Sequence, residues 1–208
     1  MTVKYILSVM IVLYVATGCK SEKSSKSEPI PAADSTRSTI DPSLVGSWAT
    51  KCNIDQLGGS VYSETLFSAA GQVTHHSSLY TDTKCTQKSA TISIKGTYTT
   101  GSSLTNPANA KELDLYYTNS IFTPHNSETV SQLNIEKACK RQWTINVGQD
   151  ITEETCLGDT PENRKTKSLQ IYRVTNSTLQ IGAVNEEGSN SIRPNLLSNE
   201  LLTKKSNL

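Results

Sequence analysis

Five cysteines are the residues of this chain with the most chemistry open to them: Cys19, Cys52, Cys85, Cys139 and Cys156. Thiols ligate metals, exchange disulfides or cross-link a fold, and spacing separates these roles. No two cysteines stand in a C-x₂-C pair and the histidines lie elsewhere, so a zinc site is not predicted. His75 and His76 are adjacent, and on a strand adjacent side chains point to opposite faces, so they cannot chelate one ion. His125 is a lone loop residue. Each histidine reads as exposed or hydrogen-bonded rather than as a ligand. The chain has no G-x-S-x-G, no H-E-x-x-H and no glycine-rich phosphate loop. Glu153-Glu154 and Glu186-Glu187 fall in turn-like, solvated segments. Nothing brings a nucleophile, a base and an orienting group together. The expectation is a protein without catalytic residues, metal or cofactor.

Cys19 differs from the other four in what precedes it. Lys4 is followed by an apolar run, Tyr5 to Ala16, interrupted by Ser8. Twelve residues are too few to span a bilayer, which takes about 20, but they match the hydrophobic core of a secretory signal. Ala16-Thr17-Gly18 then leads directly into Cys19. This arrangement resembles the lipobox of bacterial lipoproteins, with Ala16 where that family usually has Leu. The resemblance implies a diacylglyceryl thioether on Cys19, cleavage after residue 18, and a mature chain held on a membrane by acyl chains such as palmitate. Two or more such chains anchor stably, because each buried methylene contributes about 0.8 kcal/mol. A lipid-anchored place in the cell envelope follows. The residue after Cys19 is Lys20 rather than Asp, which by the same resemblance favours the outer membrane in a Gram-negative host.

Residues 19–40 read as the lipidated cysteine and a tether. The stretch KSEKSSKSEPIPAADSTRSTI has almost nothing to bury and is expected to be disordered. Its r.m.s. span is roughly 25 Å, enough to hold a domain clear of the head groups. That domain, residues 41–208, carries 15 basic and 16 acidic side chains. A balance so close to neutral excludes nucleic acid, whose phosphates demand a basic stripe.

With Cys19 acylated, four cysteines remain in an oxidising compartment, where pairing is the default. Three connectivities are possible. Cys52–Cys85 with Cys139–Cys156 is the favoured one, because each bridge closes a local loop around adjacent strands. In the chain-entropy description each contributes roughly 3–4 kcal/mol.

The elements that must position these groups are strands. Thr91 to Tyr98 alternates strictly, with Ile92, Ile94 and Tyr98 on one face, and Gly96 on that face relieves crowding at a bend. Lys111 to Tyr117 repeats the pattern through Leu113, Leu115 and Tyr117, and Gln142 to Val147 through Trp143, Ile145 and Val147. Leu169 with Ile171, and Leu179 with Ile181 and Ala183, form two more strands around the turn Thr175-Asn176-Ser177. Val45 to Ile54, Val61 to Ser68 and Val73 to Tyr80 complete the set. Ser127 to Ala138 places Val130, Leu133 and Ile135 near helical spacing and is predicted as a short helix. Eight or nine short strands, each with one apolar face, predict an all-β antiparallel barrel or sandwich.

Leu44-Val45-Gly46-Ser47-Trp48 with Cys52 looks like the G-x-W opening strand of lipocalin-like barrels, in which the Trp closes one end. Together with Tyr80-Thr81-Asp82-Thr83-Lys84-Cys85 and Gly96-Thr97-Tyr98, the series is similar to the domain of the adenomatosis-polyposis-coli down-regulated protein, an extracellular membrane-anchored antagonist, and to small bacterial lipoproteins that carry a similar series. The likeness covers about residues 44–98. It implies a lipocalin-like antiparallel barrel and a binding rather than enzymatic role; with the helix and bridges read above, the expected fold is an all-β barrel of about eight strands with one short helix and two disulfides. Asn53 to Ser60 is a plain loop where the eukaryotic pattern is cysteine-rich, so no partner specificity carries over. Two functions fit. One is a carrier or sensor of an apolar small molecule or lipid inside the barrel. The other is an adaptor or inhibitor that grips another envelope protein through polar loops such as residues 101–109 and 155–167.

Overall fold

A computed structural model describes residues 40–54, 58–156, 167–183 and 192–205. Cys19, the signal segment and most of the tether lie outside the described residues, as do Glu186, Glu187 and most of the 155–167 loop.

Among the described residues, ten strands and one α-helix follow each other in the order β1 (Gly46–Ala49), β2 (Asn53–Ile54), β3 (Ser60–Phe67), β4 (Gln72–Tyr80), β5 (Lys88–Ser103), β6 (Lys111–Pro124), α1 (Ser127–Ile135), β7 (Gln149–Asp150), β8 (Lys167–Thr175), β9 (Thr178–Ile181) and β10 (Leu202–Lys204). Each of the eight main strands pairs antiparallel with its neighbours in the circuit β1-β3-β4-β5-β6-β8-β9-β10, and β10 returns to β1 through Trp48↔Lys204 and Ala49↔Thr203. The sheet therefore closes into an eight-stranded up-and-down barrel. Closure removes the unpaired edges that an open sheet would expose. The two remaining strands are short additions: β2 extends the sheet beside β3, and β7 beside β6.

Alternation on β5 and β6 behaves as the sequence predicts, and both strands run further than the pattern that announced them. Ile94, Tyr98, Leu113 and Leu115 are buried. Gly96 stands where the β5–β6 register shifts between Lys95 and Gly96, and a Cβ there would overlap the carbonyl of Tyr116. The bend and the close approach together account for the glycine.

The barrel holds two apolar clusters. The first gathers Leu44, Trp48, Phe67, Val73, Tyr98, Leu113, Leu115, Tyr172, Leu179 and Leu202. Trp48 is fully buried there, and its indole Nε1 donates to the Leu44 carbonyl at 2.7 Å. The second comprises Leu79, Ala90, Phe122, Leu133, Trp143, Ile151 and Cys156. It forms because β4, β5 and β6 are far longer than β1, β9 and β10, so that their inner face overhangs the closed part. α1 and residues 138–156 cover the overhang. Asn126 caps α1, accepting from the Thr129 amide at 2.7 Å.

Three features differ from expectation. Residues 142–147 are not a strand. Trp143 is buried, with its ring edge-on to Phe122, but Ile145 and Val147 are 44% and 48% exposed. The chain turns at 144–147 with Asn146 left-handed, and the adjacent edge of β6 pairs with β7 instead. In α1 the buried pair is Thr129 and Leu133, four residues apart, whereas Ile135 is 73% exposed. The closing strand β10 was not expected at all, being three residues among Ser, Asn and Lys.

Cys52 is joined to Cys85 and Cys139 to Cys156, with Cα separations of 6.0 Å and 4.6 Å. Both bridges are the ones expected from local loop closure. The first ties the segment before β2 to the turn after β4. The second ties the 3₁₀ turn after α1 to the segment after β7.

Candidate functional site in the barrel interior

A polar row lies between the two apolar clusters. On β3 and β4, Ser63, Thr65, His75 and Ser77 share the inward parity of Phe67 and Val73. Registers Thr65↔His75 and Ser63↔Ser77 set these side chains directly across from each other. Ile94 and Ile92 flank the row on β5, and Ser120 and Phe122 follow on β6. His75 Nδ1 is 2.8 Å from the Thr65 hydroxyl, and Nε2 is 2.9 Å from the Ser77 hydroxyl. Ser77 continues to Ser63 at 3.2 Å. Both ring nitrogens are thus satisfied, as a buried imidazole requires. Burial pushes the imidazole down to about 4, and the neighbouring His76 adds to the effect. His75 is therefore neutral at pH 7, one nitrogen donating and the other accepting.

Ser77 and His75 are spaced like a nucleophile and its base, but the arrangement is not one for acyl transfer. The group orienting the imidazole is a hydroxyl, not a carboxylate. The backbone amides around Ser77 belong to the β3–β4–β5 ladder, so none is free to hold an oxyanion. The row instead offers adaptable hydrogen-bond donors and acceptors beside apolar walls. Ser63, His75 and Ile92 face inward yet are only partly buried, whereas the clusters on either side are shut.

The Trp48 end is plugged by residues 40–45. Asp41 accepts from Lys111 Nζ at 2.6 Å and from the Tyr172 hydroxyl at 2.7 Å, while the Ser43 amide bonds its other oxygen at 2.9 Å. Burial alone would raise the carboxyl, but the Lys111, Tyr172 and Ser43 hydrogen bonds outweigh it and hold Asp41 well below the usual carboxylate range. The Tyr172 phenol is driven far up, by burial first and then by its bond to Asp41. Lys204 Nζ sits 5.2 Å over the Trp48 ring on the same side of the barrel.

The residues singled out from the sequence are distributed as follows. His76 is exposed on the outer face, opposite in direction to His75. His125 bonds to Thr91 at 2.9 Å and to Asn146 at 2.8 Å. Asp82 caps its own turn, accepting from the Thr86 and Gln87 amides at 3.0 and 3.1 Å. Glu154 pairs with Arg141 on the surface. Among the described residues no three His, Cys, Asp or Glu side chains gather to hold a metal ion, and no helix is long and apolar enough to cross a membrane. The polar row itself was missed. Its signal was present: Val73, His75, Ser77 and Leu79 alternate, so a polar pair stands between two apolar residues on one face.

The fold and the interior row define a closed antiparallel β-barrel with two cysteine bridges and a hydrogen-bonding waist. No protein-family model matches the chain, and no curated protein is significantly similar to it.

Proposed function

We propose that this protein is a lipid-anchored lipoprotein of the bacterial cell envelope whose barrel binds an amphipathic small molecule or lipid. The partial exposure of the inward-facing Ser63, His75 and Ile92, between two closed clusters, carries the binding half of this reading. An eight-stranded barrel can hold one small ligand, and Ser63, Thr65 and Ser77 keep the side chains short beside His75 on the β3–β4 side of this level. The anchoring half rests on the lipobox-like sequence before Cys19. The outer membrane is the favoured location if the host is Gram-negative. The test has two arms. Metabolic labelling with an alkyne-tagged palmitate should mark the full chain and not Cys19→Ser. Solvent extraction of the purified full-length protein should release one small amphiphile in near-stoichiometric amount. Unlabelled wild-type protein would remove the anchor. Protein free of any bound amphiphile that also takes up none would remove the carrier.

A second reading, an adaptor that binds another envelope protein, draws support from a different observation. Ile135, Ile145 and Val147 are exposed on segments flanking the Asn134–Trp143 contact at the overhang end. In-cell cross-linking from position 145 should then trap one defined partner, and its absence would count against this reading.

A further inference from the structure

We infer that the row Ser63–Ser77–His75–Thr65 selects an uncharged, oxygen-bearing head group, so that the barrel's ligand is a neutral single-chain amphiphile such as a monoacylglycerol. The inference rests on the proposed ligand-binding role and specifies what that role accepts. Its first support is the chemistry of the row. Every hydrogen bond in it runs between hydroxyls and an imidazole, and no ammonium, guanidinium or carboxylate takes part. A charged head group brought here would lose its water and gain no countercharge, the situation in which buried charge is disfavoured. A hydroxyl or ester loses far less and can be matched, because serine and threonine hydroxyls rotate to donate or accept.

The second support is placement. The row is confined to β3 and β4, while the same level of β5 presents Ile92 and Ile94. Phe122 and Leu79 continue the apolar surface toward the overhang. One wall therefore reads a polar head, and Ile92, the partly covered apolar residue across from Ser77, is where the chain leaves it. The third support is the pattern of burial. Thr65 and Ser77 are 5% and 3% exposed, yet their partners His75 and Ser63 are only partly covered. The row is anchored at two of its members and open at the other two. Ser63, at the end of the row, keeps hydroxyl capacity beyond its bond to Ser77 and is the member a ligand oxygen would meet, with His75 holding Ser77 in place behind it.

The test uses full-length protein in lipid nanodiscs and three probes with the same twelve-carbon, diazirine-bearing chain. Their heads are a glycerol ester, a carboxylate and a trimethylammonium. After irradiation at pH 7.5, labelled residues are mapped by peptide mass spectrometry. The glycerol ester is expected to label inner residues of β5 and β6, with the two charged probes at least tenfold weaker. His75→Phe should reduce the glycerol-ester labelling at least fivefold. Ser77→Ala, the milder change, should reduce it in the same direction and decides the matter if the first variant does not fold. Equal labelling by all three heads, stronger labelling by a charged head, or full labelling of both variants would overturn head-group selection and leave the binding role standing. Interior labelling by none of the probes would overturn the binding role itself.

Discussion

His75 carries a proton-linked cost that an exposed histidine would not. In the unfolded chain it titrates near 6.5, but inside the barrel burial has pushed it to about 4. Below pH 6.5 the unfolded chain takes up a proton that the folded chain refuses, so stability is complete above 6.5 and is lost as pH falls toward 4. Across that window the loss is about 3 kcal/mol. Urea midpoints measured at pH 7 and pH 5 should show it, and His75→Gln should flatten the difference. Asp41, Glu64 and Asp114 are also held low, each against the opposing effect of burial, by hydrogen bonds from Lys111, Ser47 and Lys167 respectively. Their losses begin where the unfolded carboxyls protonate, at about 4, and deepen below it, so they meet only the acid end of the histidine window and leave the step from pH 7 to pH 5 to His75. Gly96 makes the second residue-scale prediction. With the Tyr116 carbonyl against its Cα, Gly96→Ala forces two backbones apart and should cost roughly 2 kcal/mol. Thermal denaturation of Gly96→Ala beside the wild-type chain provides the check.

Among the elements, the segment of residues 40–45 behaves as a stopper held by one carboxylate. Asp41 joins it to β6 through Lys111 and to β8 through Tyr172, while Leu44 inserts beneath Trp48. Asp41→Asn keeps the shape but removes the charge, so Lys111 loses its counterion. Amide exchange over residues 41–46 should accelerate roughly tenfold, with β5 and β6 unchanged. Global acceleration instead would mean that the stopper is integral to the barrel. The segment 192–198 is a second tie. Arg193 reaches Glu112 and Asp114 on the outer face of β6, and also bonds the Gln170 carbonyl. By parity Ile171 faces outward there, yet it is fully buried, and Pro194 lies against its cross-strand neighbour Gly182.

At the scale of the molecule, two apolar clusters and two bridges divide the work. The closed part is stabilised by ladder closure around Trp48. The overhang has strands on one side only and depends on α1, Trp143 and the Cys139–Cys156 bridge to cover it. Non-reducing peptide maps should yield Cys52 with Cys85 and Cys139 with Cys156, and a Cys52–Cys139 peptide would refute the arrangement. Replacing both members of either pair by serine should lower stability by roughly 3–4 kcal/mol. Loss of the second pair should also raise proteolysis within residues 136–156 before the barrel opens.

Much of this was legible residue by residue. The alternation in β3 to β6, the helix after Asn126, the role of Gly96 and the local cysteine pairing all depend on near neighbours, and near neighbours are what a sequence displays. Tertiary structure decided the rest. Residues 142–147 have the pattern of a strand but found no free edge to pair with. Residues 202–204 have almost no pattern and became a strand because β1 and β9 each offered an edge. His75 was readable as an inward residue on β4, but its hydrogen-bond partner Thr65 lies ten residues away on another strand. Only the register of β3 against β4 brings the two together. Side-chain periodicity is a local property of the chain. Edge availability and cross-strand neighbours belong to the closed barrel, and they determine where its interior is polar.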